Sequence, residues 1–541
     1  MASYRCHISS YTLIIVLFLS MYYPTNITAN PVPWKNSQNW LNHGGDLKNR
    51  RYADKETKIN PITASKLKLK WEFYAGRDIT ATPAIFNGTL YFPSWNGNIY
   101  AVKASDGSLV WKKNVSEVTG INAPGFIRGV NSTVSRSTPT IAEDLVIVGL
   151  YAPCVVIALE ILTGKLVWMT QLDKHPSSLV TMSGTYYNGG FYVGTSSLEE
   201  GATIEQCCTF IGSLAKLDVR TGGIIWQAYM LPSNQGRRGG YAGAAIWGSS
   251  PSIDINRNLV YIATGNLYSA PENVTECQER QNNQTSPTQP DECIEPENHS
   301  NSILALELET GKIRWYRQLG GYDVWFFACN NLSTPNCPPG PNPDADFGEA
   351  PMMLSVFVHG RMKDIVVAVQ KSGFAWALDR DNGSLIWSTE VGPGGMAGGG
   401  TWGAATDEKR VYTNLVNSNR NNFTLKPSNR ITNGGGWVAM DARSGQILWS
   451  TADPNNAGTN GPVTVANGVV FSGSTFREGS VYAMNAITGK ILWSYKTGAT
   501  VYGGISVSDG CAYVGNGYKV SLGFLNPSYT SGTSLYAFCV Y

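Results

Sequence analysis

The chain has 541 residues, of which only 15% are charged, and its formal net charge is +2. No basic stripe marks a nucleic-acid face, so nucleic acid is set aside as a partner. With 58 Gly and 16 Trp, the composition is far from that of a helical bundle or a disordered chain, and a length that suggests several domains can belong to one repeat body of short strands and tight turns.

The N-terminus has a basic residue, Arg5, then an apolar run from Tyr11 to Tyr23 and a small, polar exit around Thr28, Ala29 and Asn30. This pattern predicts a signal peptide over residues 1–29, cleaved near Ala29, and no membrane span in the mature chain, since a span needs about 20 apolar residues. An uncleaved signal anchor is the alternative. Asn-x-Ser/Thr sequons begin at Asn87, Asn114, Asn131, Asn273, Asn283, Asn298, Asn331, Asn382 and Asn422, with a further one at Asn26 in the leader. They suggest a glycoprotein secreted by a eukaryotic route. The cysteines agree with that compartment. Spacing favours Cys277 with Cys293, Cys329 with Cys337 and Cys511 with Cys539, while Cys154 is the candidate free thiol. Cys207 and Cys208 are either a vicinal pair or members of two separate bridges.

From residue 101 onward one eleven-residue pattern recurs. Its copies are AVKASDGSLVW (101–111), ALEILTGKLVW (158–168), KLDVRTGGIIW (216–226), ALELETGKIRW (305–315), ALDRDNGSLIW (377–387), AMDARSGQILW (439–449) and AMNAITGKILW (483–493). Position seven is always Gly and position eleven always Trp. The pattern predicts a hairpin: a strand, a turn whose Gly supplies a left-handed conformation, and a return strand ending on a ring suited to docking between sheets. Two further strand-like runs precede most copies, so each unit is a four-stranded blade. Trp71, in LKLKWEFYAG (67–76), lacks preceding strands, and SLYAFCV (534–540) lacks a following Trp. The expected fold is therefore all-β: an eight-bladed β-propeller with tryptophan-docking motifs over residues 30–541, its ring closed by the N- and C-terminal strands. A stacked solenoid is the competing architecture, but it leaves the complementary half-blades unexplained.

Two polar, cysteine-bearing loops interrupt the rhythm, at about 270–298 and 329–345. They are either lids over one mouth of the ring or decoration. A central channel should gather residues near the first strand of each blade. Arg136, Glu199, Glu200, Trp247, Asn266, Asp346, Lys371 and Trp402 are the candidates there. Carboxylates with an amide oxygen suit a hard cation such as calcium, and flat Trp rings suit a planar cofactor with cations beside its oxygens.

With these segments in place, the chain resembles the quinoprotein alcohol dehydrogenases that bind pyrroloquinoline quinone, and within them the polyvinyl-alcohol-dehydrogenase-like branch of bacteria and plants. The resemblance spans about residues 34–541. It implies that Arg136, in VSRS, contacts the quinone and that Trp247, in IWGSSPSID, forms the floor under its ring. Glu199, in GTSSLE, and Asn266, in ATGN, would hold calcium, with Glu200 a rival for the first place. Asp346, in DFGEAPMML, would be the catalytic base, with Asp344 its near neighbour, and Lys371, in QKSGF, would stand beside the quinone oxygens. Trp402, in GGTWGAAT, joins the cofactor set.

The implied activity is oxidation of a small-molecule or polymeric alcohol, with Asp346 taking the hydroxyl proton and Lys371 steadying developing negative charge. Departures from the family pattern are specific. Val130 and Asn131 stand where several members carry adjacent cysteines, and Phe326 stands where a simpler alignment puts the catalytic aspartate. No CxxCH haem motif occurs, so electrons would leave to a separate acceptor. The competing readings keep the fold for binding a glycan or a protein without turnover, or for specialised metabolism with other chemistry.

Overall fold

Each copy of the pattern forms the third and fourth strands of a sheet, and its Gly does two jobs. At Gly107, Gly164, Gly222, Gly311, Gly383, Gly445 and Gly489 φ lies between +68° and +73°, where side chains strain the backbone. At each, an added Cβ would also lie within 2.5–2.9 Å of an indole atom of the preceding blade's Trp. That indole donates its N–H to the carbonyl of the fourth residue of the next copy, at 2.8–3.1 Å, from Trp71 to Ala104 through Trp449 to Ala486. Docking therefore needs a large ring with one donor opposite a turn without a side chain, which is why Gly and Trp recur together. Trp493 is the exception. The eighth sheet has no hairpin at that place, and Trp493 meets Phe538 edge-on, with ring centroids 5.1 Å apart.

A computed structural model describes residues 39–123, 130–281, 293, 296–329, 343–358 and 360–541. The expected leader, 1–29, with Asn26, falls outside these residues, as do Asn283, Asn331, Cys337 and the central parts of both long loops. The unit from Asn36 to Tyr541 is an eight-bladed propeller. Seven blades each take four strands from one continuous stretch of sequence, with first strands at Ala84–Phe86, Thr140–Ala142, Thr185–Tyr187, Ser252–Asp254, Met352–Val358, Ala405–Thr406 and Thr464–Ala466, the last also paired with the short N-terminal strand Tyr52–Ala53. The eighth takes Ser506–Ser508, Cys511–Gly515 and Ser534–Cys539 from the C-terminus and Lys68–Tyr74 from the N-terminus. The terminal strands thus close the ring, as the sequence predicts.

The four strands of every blade run antiparallel to their neighbours, whereas the added Tyr52–Ala53 strand pairs in parallel with Thr464–Ala466. The connections into a blade's innermost strand and those between its second and third strands therefore share one end of the ring. The hairpin turns bearing the docking Gly lie at the other.

The innermost edge of each sheet would leave backbone N–H groups unpaired. A strap from Trp40 to Arg51 covers them. Its carbonyls accept from Ile85, Ile141, Ile253, Met353, Thr406 and Val465, one in the first strand of each of six blades, all but the eighth and the third. In the third, Asn42 reaches Thr185 through its side chain, at 3.3 Å. Sequence reading assigned this segment no role.

Cys277–Cys293 and Cys511–Cys539 are disulfides, the latter between directly facing residues of adjacent strands. Cys207 and Cys208 are joined to each other, Cys154 is free and buried, and Cys329 is disulfide-bonded. Of the described sequon asparagines, Asn87, Asn131, Asn273, Asn382 and Asn422 are exposed, Asn114 is half-buried and Asn298 is buried. Among the described residues no helix is long and apolar enough to cross a membrane.

Candidate active site

The connections at one end of the ring enclose a cavity of about 410 Å³. The sequence placed its residues on the first strands; the structure takes them from the loops flanking the two inner strands. Arg136, Trp247, Asp344, Asp346, Trp402 and Tyr502 precede innermost strands, whereas Tyr151, Glu200, Tyr268, Lys371 and Tyr518 follow second strands. Six candidates, Arg136, Glu200, Trp247, Asp346, Lys371 and Trp402, line this one cavity. The flanks of the second long loop add Trp325 and Phe327.

On one side sits Arg136, buried at 7% exposure. Its guanidinium carbon lies 4.2 Å from the Trp402 ring centroid and within 6 Å of Tyr518, Tyr151 and Tyr502. Its hydrogen-bond partner at 3.3 Å is the Tyr518 hydroxyl, and it has no carboxylate partner among the described residues. Rings can offset part of the cost of burying that charge, by about 2 kcal/mol for a desolvated cation–π pair. They leave its donors free for an anion.

Elsewhere in the wall is a knot of charge. Lys371 Nζ lies 3.0 and 3.1 Å from the two Asp344 oxygens and 2.6 Å from Asp346 Oδ1. Asp346 Oδ2 accepts from Trp247 Nε1 at 2.5 Å. Burial works against the ammonium, but Asp344, Asp346 and Glu200 outweigh it and raise the Lys371 pKa. Burial also pushes Asp344 well above the carboxylate range, against the pull of Lys371 and with the push of Asp346. Glu200 is raised to about 7 by burial, with Lys371 opposing and Asp346 reinforcing. Two ionised carboxylates on one ammonium would leave one negative charge over, so the knot holds a proton tightly, which is the sense in which Asp344 is raised.

Asp323, in YDVWFF, fixes the loop that carries this knot. Its carboxylate accepts from the backbone of Asp344 at 3.1 Å and of Ala345 at 2.6 Å. Sequence reading missed it, together with Tyr151, Tyr268, Tyr502 and Tyr518. The tyrosines occupy the same connections, in their own blades, as the candidates that were found, and that positional equivalence was the available signal.

The proposed calcium pair stands next to this wall, not in it. Glu199 does not line the cavity; its oxygens accept from Thr209 N at 2.8 and 2.9 Å and Phe210 N at 2.8 Å, with His175 Nε2 at 3.3 Å. Asn266 is also absent from the wall, and its Nδ2 donates to the carbonyls of Leu267 and Trp325. Of the glutamate pair, Glu200 is the one that lines the cavity. Among the described residues no group of three or more His, Cys, Asp or Glu side chains is arranged to hold a metal. Calcium at Glu199 and Asn266 is thus implied by the family resemblance alone. A planar, anionic quinone does fit, because flat rings and an unpaired buried arginine share one chamber.

The family model PQQ_2, described as "Outer membrane protein assembly factor BamB", matches residues 62–317 and 434–526. A polyvinylalcohol dehydrogenase of Pseudomonas sp is 30% identical over 533 residues, covering 90% of this chain and 74% of that protein. Another, of Sphingopyxis sp. (strain 113P3), is 28% identical with the same coverage. Among solved structures, the quinohemoprotein alcohol dehydrogenase of Comamonas testosteroni superposes with a TM-score of 0.68 at 19% identity, over 93% of this chain and 80% of that one. The repeat that docks blade on blade and the extent of these matches place the chain in the quinoprotein alcohol dehydrogenase family, close to its polyvinylalcohol dehydrogenases.

Proposed function

We propose that the chain is a quinone-dependent dehydrogenase that oxidises the hydroxyl group of an alcohol in the cavity described above. What carries the reading is Arg136, a buried cation with no carboxylate partner among the described residues, in the same chamber as the Asp344–Lys371–Asp346 knot. Arg136 binds a carboxylate of the cofactor, while Trp247 and Trp402 offer it aromatic faces. When bound, the quinone supplies a two-electron acceptor for the alcohol carbon. Asp346 takes the hydroxyl proton, and Lys371, shared with Asp344, compensates the charge before and after that transfer. Trp247 holds Asp346 in place through its indole N–H. Calcium receives no step here.

The reading includes a secreted, glycosylated enzyme. Its supports are the leader pattern, the exposed sequons and the disulfides. Electrons pass to a separate acceptor, since the sequence has no haem motif.

The test is titration of purified apoprotein with pyrroloquinoline quinone, followed by tryptophan fluorescence and melting temperature, and then turnover of an alcohol series with an artificial acceptor. Saturable quenching with a rise in melting temperature is the expected result. Absence of both would refute the proposal.

A further inference from the structure

Trp402 is the hub of the cavity floor. Its ring faces the Arg136 guanidinium at 4.2 Å, meets Trp247 edge-on with centroids 5.0 Å apart, and donates Nε1 to the Tyr502 hydroxyl at 2.7 Å. Yet its backbone is left-handed, with φ +66°. For a bulky residue this costs about 1–3 kcal/mol and persists only where the surroundings over-determine it. Two hydrogen bonds do so. Trp402 N donates to the Gly348 carbonyl at 2.9 Å, and the Trp402 carbonyl lies 2.5 Å from His43 Nε2.

His43 comes from the strap beneath the cavity. Its Nδ1 lies 3.3 Å from Thr138 Oγ1, and its own carbonyl is gripped by Arg51. Arg51 has 0% exposure and is tied to Val463 O at 2.7 Å and Thr464 Oγ1 at 2.9 Å. A carbonyl can only accept, so the Nε2 of His43 carries its proton and Nδ1 takes the Thr138 hydroxyl. Burial, with Arg51 and Arg136 close by, holds the imidazole pKa well below its ordinary value and keeps the ring neutral. The next residue, Gly403, has φ +142°, and an added Cβ there would meet Arg51 Cδ at 3.0 Å and His43 Nε2 at 3.5 Å. The strap and the floor are thus fitted to each other without room for a side chain.

We propose that His43 is a positioning residue for the cofactor floor: its Nε2–H holds the Trp402 backbone in the strained conformation that presents the indole to the cavity. The ligand in this inference rests on the quinone reading above; the geometry of His43 does not.

The experiment uses the full chain with His43→Leu and His43→Gln, and pyrroloquinoline quinone as the probe, read by tryptophan fluorescence of the apoprotein. The Leu variant should bind about tenfold more weakly, and the Gln variant, whose amide nitrogen is a donor at similar reach, should stay within about threefold of wild type. Unchanged affinity in His43→Leu would overturn the proposal. A second measurement needs no variant to fold and no cofactor. With histidine-selective ¹⁵N labelling, His43, one of five histidines, should stay the Nε2-protonated neutral tautomer across the ordinary histidine titration near pH 6.5. An Nδ1-protonated ring, or titration near the ordinary value, would overturn it equally. If wild type binds no quinone, the functional proposal fails, and the tautomer still decides the role of His43.

Discussion

Glu349 gives the folded protein an unusual pH dependence. Its carboxyl is 2% exposed beneath the floor, with Oε1 accepting from Val369 N at 2.7 Å. Burial pushes its pKa to about 8, although nearby backbone amides and Arg51 favour the ionised form. Glu200 is raised to about 7 and Asp323 to about 6, both chiefly by burial. An acid whose folded pKa exceeds its unfolded value binds its proton more tightly when folded. Its contribution is complete below the unfolded value near 4 and is lost as pH rises through the folded one. At 1.36 kcal/mol per pH unit, going from pH 5.5 to 8 costs about 3 kcal/mol through Glu349, about 2 through Glu200 and under about 1 through Asp323. With an unfolding entropy of about 2.1 cal/mol/K per residue over roughly 500 residues, or about 1 kcal/mol/K, these three acids alone give a fall of about 6 °C, which the depressed His43 and His299 oppose and the raised Asp344 reinforces. Calorimetry of the apoprotein at the two pH values measures it directly. Glu349→Gln keeps an oxygen for Val369 and removes the titration, so the difference should shrink by about half. A melting temperature that is flat or rises from pH 5.5 to 8, or a Glu349→Gln protein with the wild-type slope, would refute the reasoning.

Arg136→Met removes the unpaired cation and should weaken quinone binding by about 10- to 150-fold, the value of one charge-assisted hydrogen bond, in a fluorescence titration. Asp346→Asn should lower kcat by about 10² to 10⁴ with quinone affinity nearly unchanged; full retained activity would remove it as the base. Gly445→Ala places a Cβ 2.5 Å from the Trp387 ring at a φ of +71°. Strain and overpacking should together cost about 2–4 kcal/mol and about 2–4 °C of melting temperature, read by calorimetry.

The ring was legible because a docking contact demands two residue types at once. A turn with φ near +70° and an indole packed on it leaves Gly and Trp as the pair that fits, so their joint spacing writes the architecture into the sequence. Cys511 and Cys539 were legible for the related reason that they face each other in adjacent strands. The strap was not legible. Asn42, His43, Asn49 and Arg51 bond to residues as far as 454 positions away in the chain, among them Thr138, Thr464 and Ile505, and such partners leave no local pattern. Glu199 and Glu200 could not be separated by composition either. A single 3-10 turn, Glu199–Gly201, places one beside the amides of Thr209 and Phe210 and the other in the cavity wall.

Scaffold and site are coupled through the closing blade. Arg136 leads into the second blade and Trp402 into the sixth, but Tyr502 and Tyr518, which complete the cage around that arginine, belong to the eighth. The outer strand of that blade, Lys68–Tyr74, is pinned by its pairing with Ser534–Cys539 and by Trp71 docking on the first blade. The same N-terminal region supplies the strap that ends at Arg51 and carries His43 to the carbonyl of Trp402. Ring closure and floor geometry therefore draw on one stretch of chain. The cavity is complete only in the closed ring, because two of the tyrosine rings that shield Arg136 belong to the final blade.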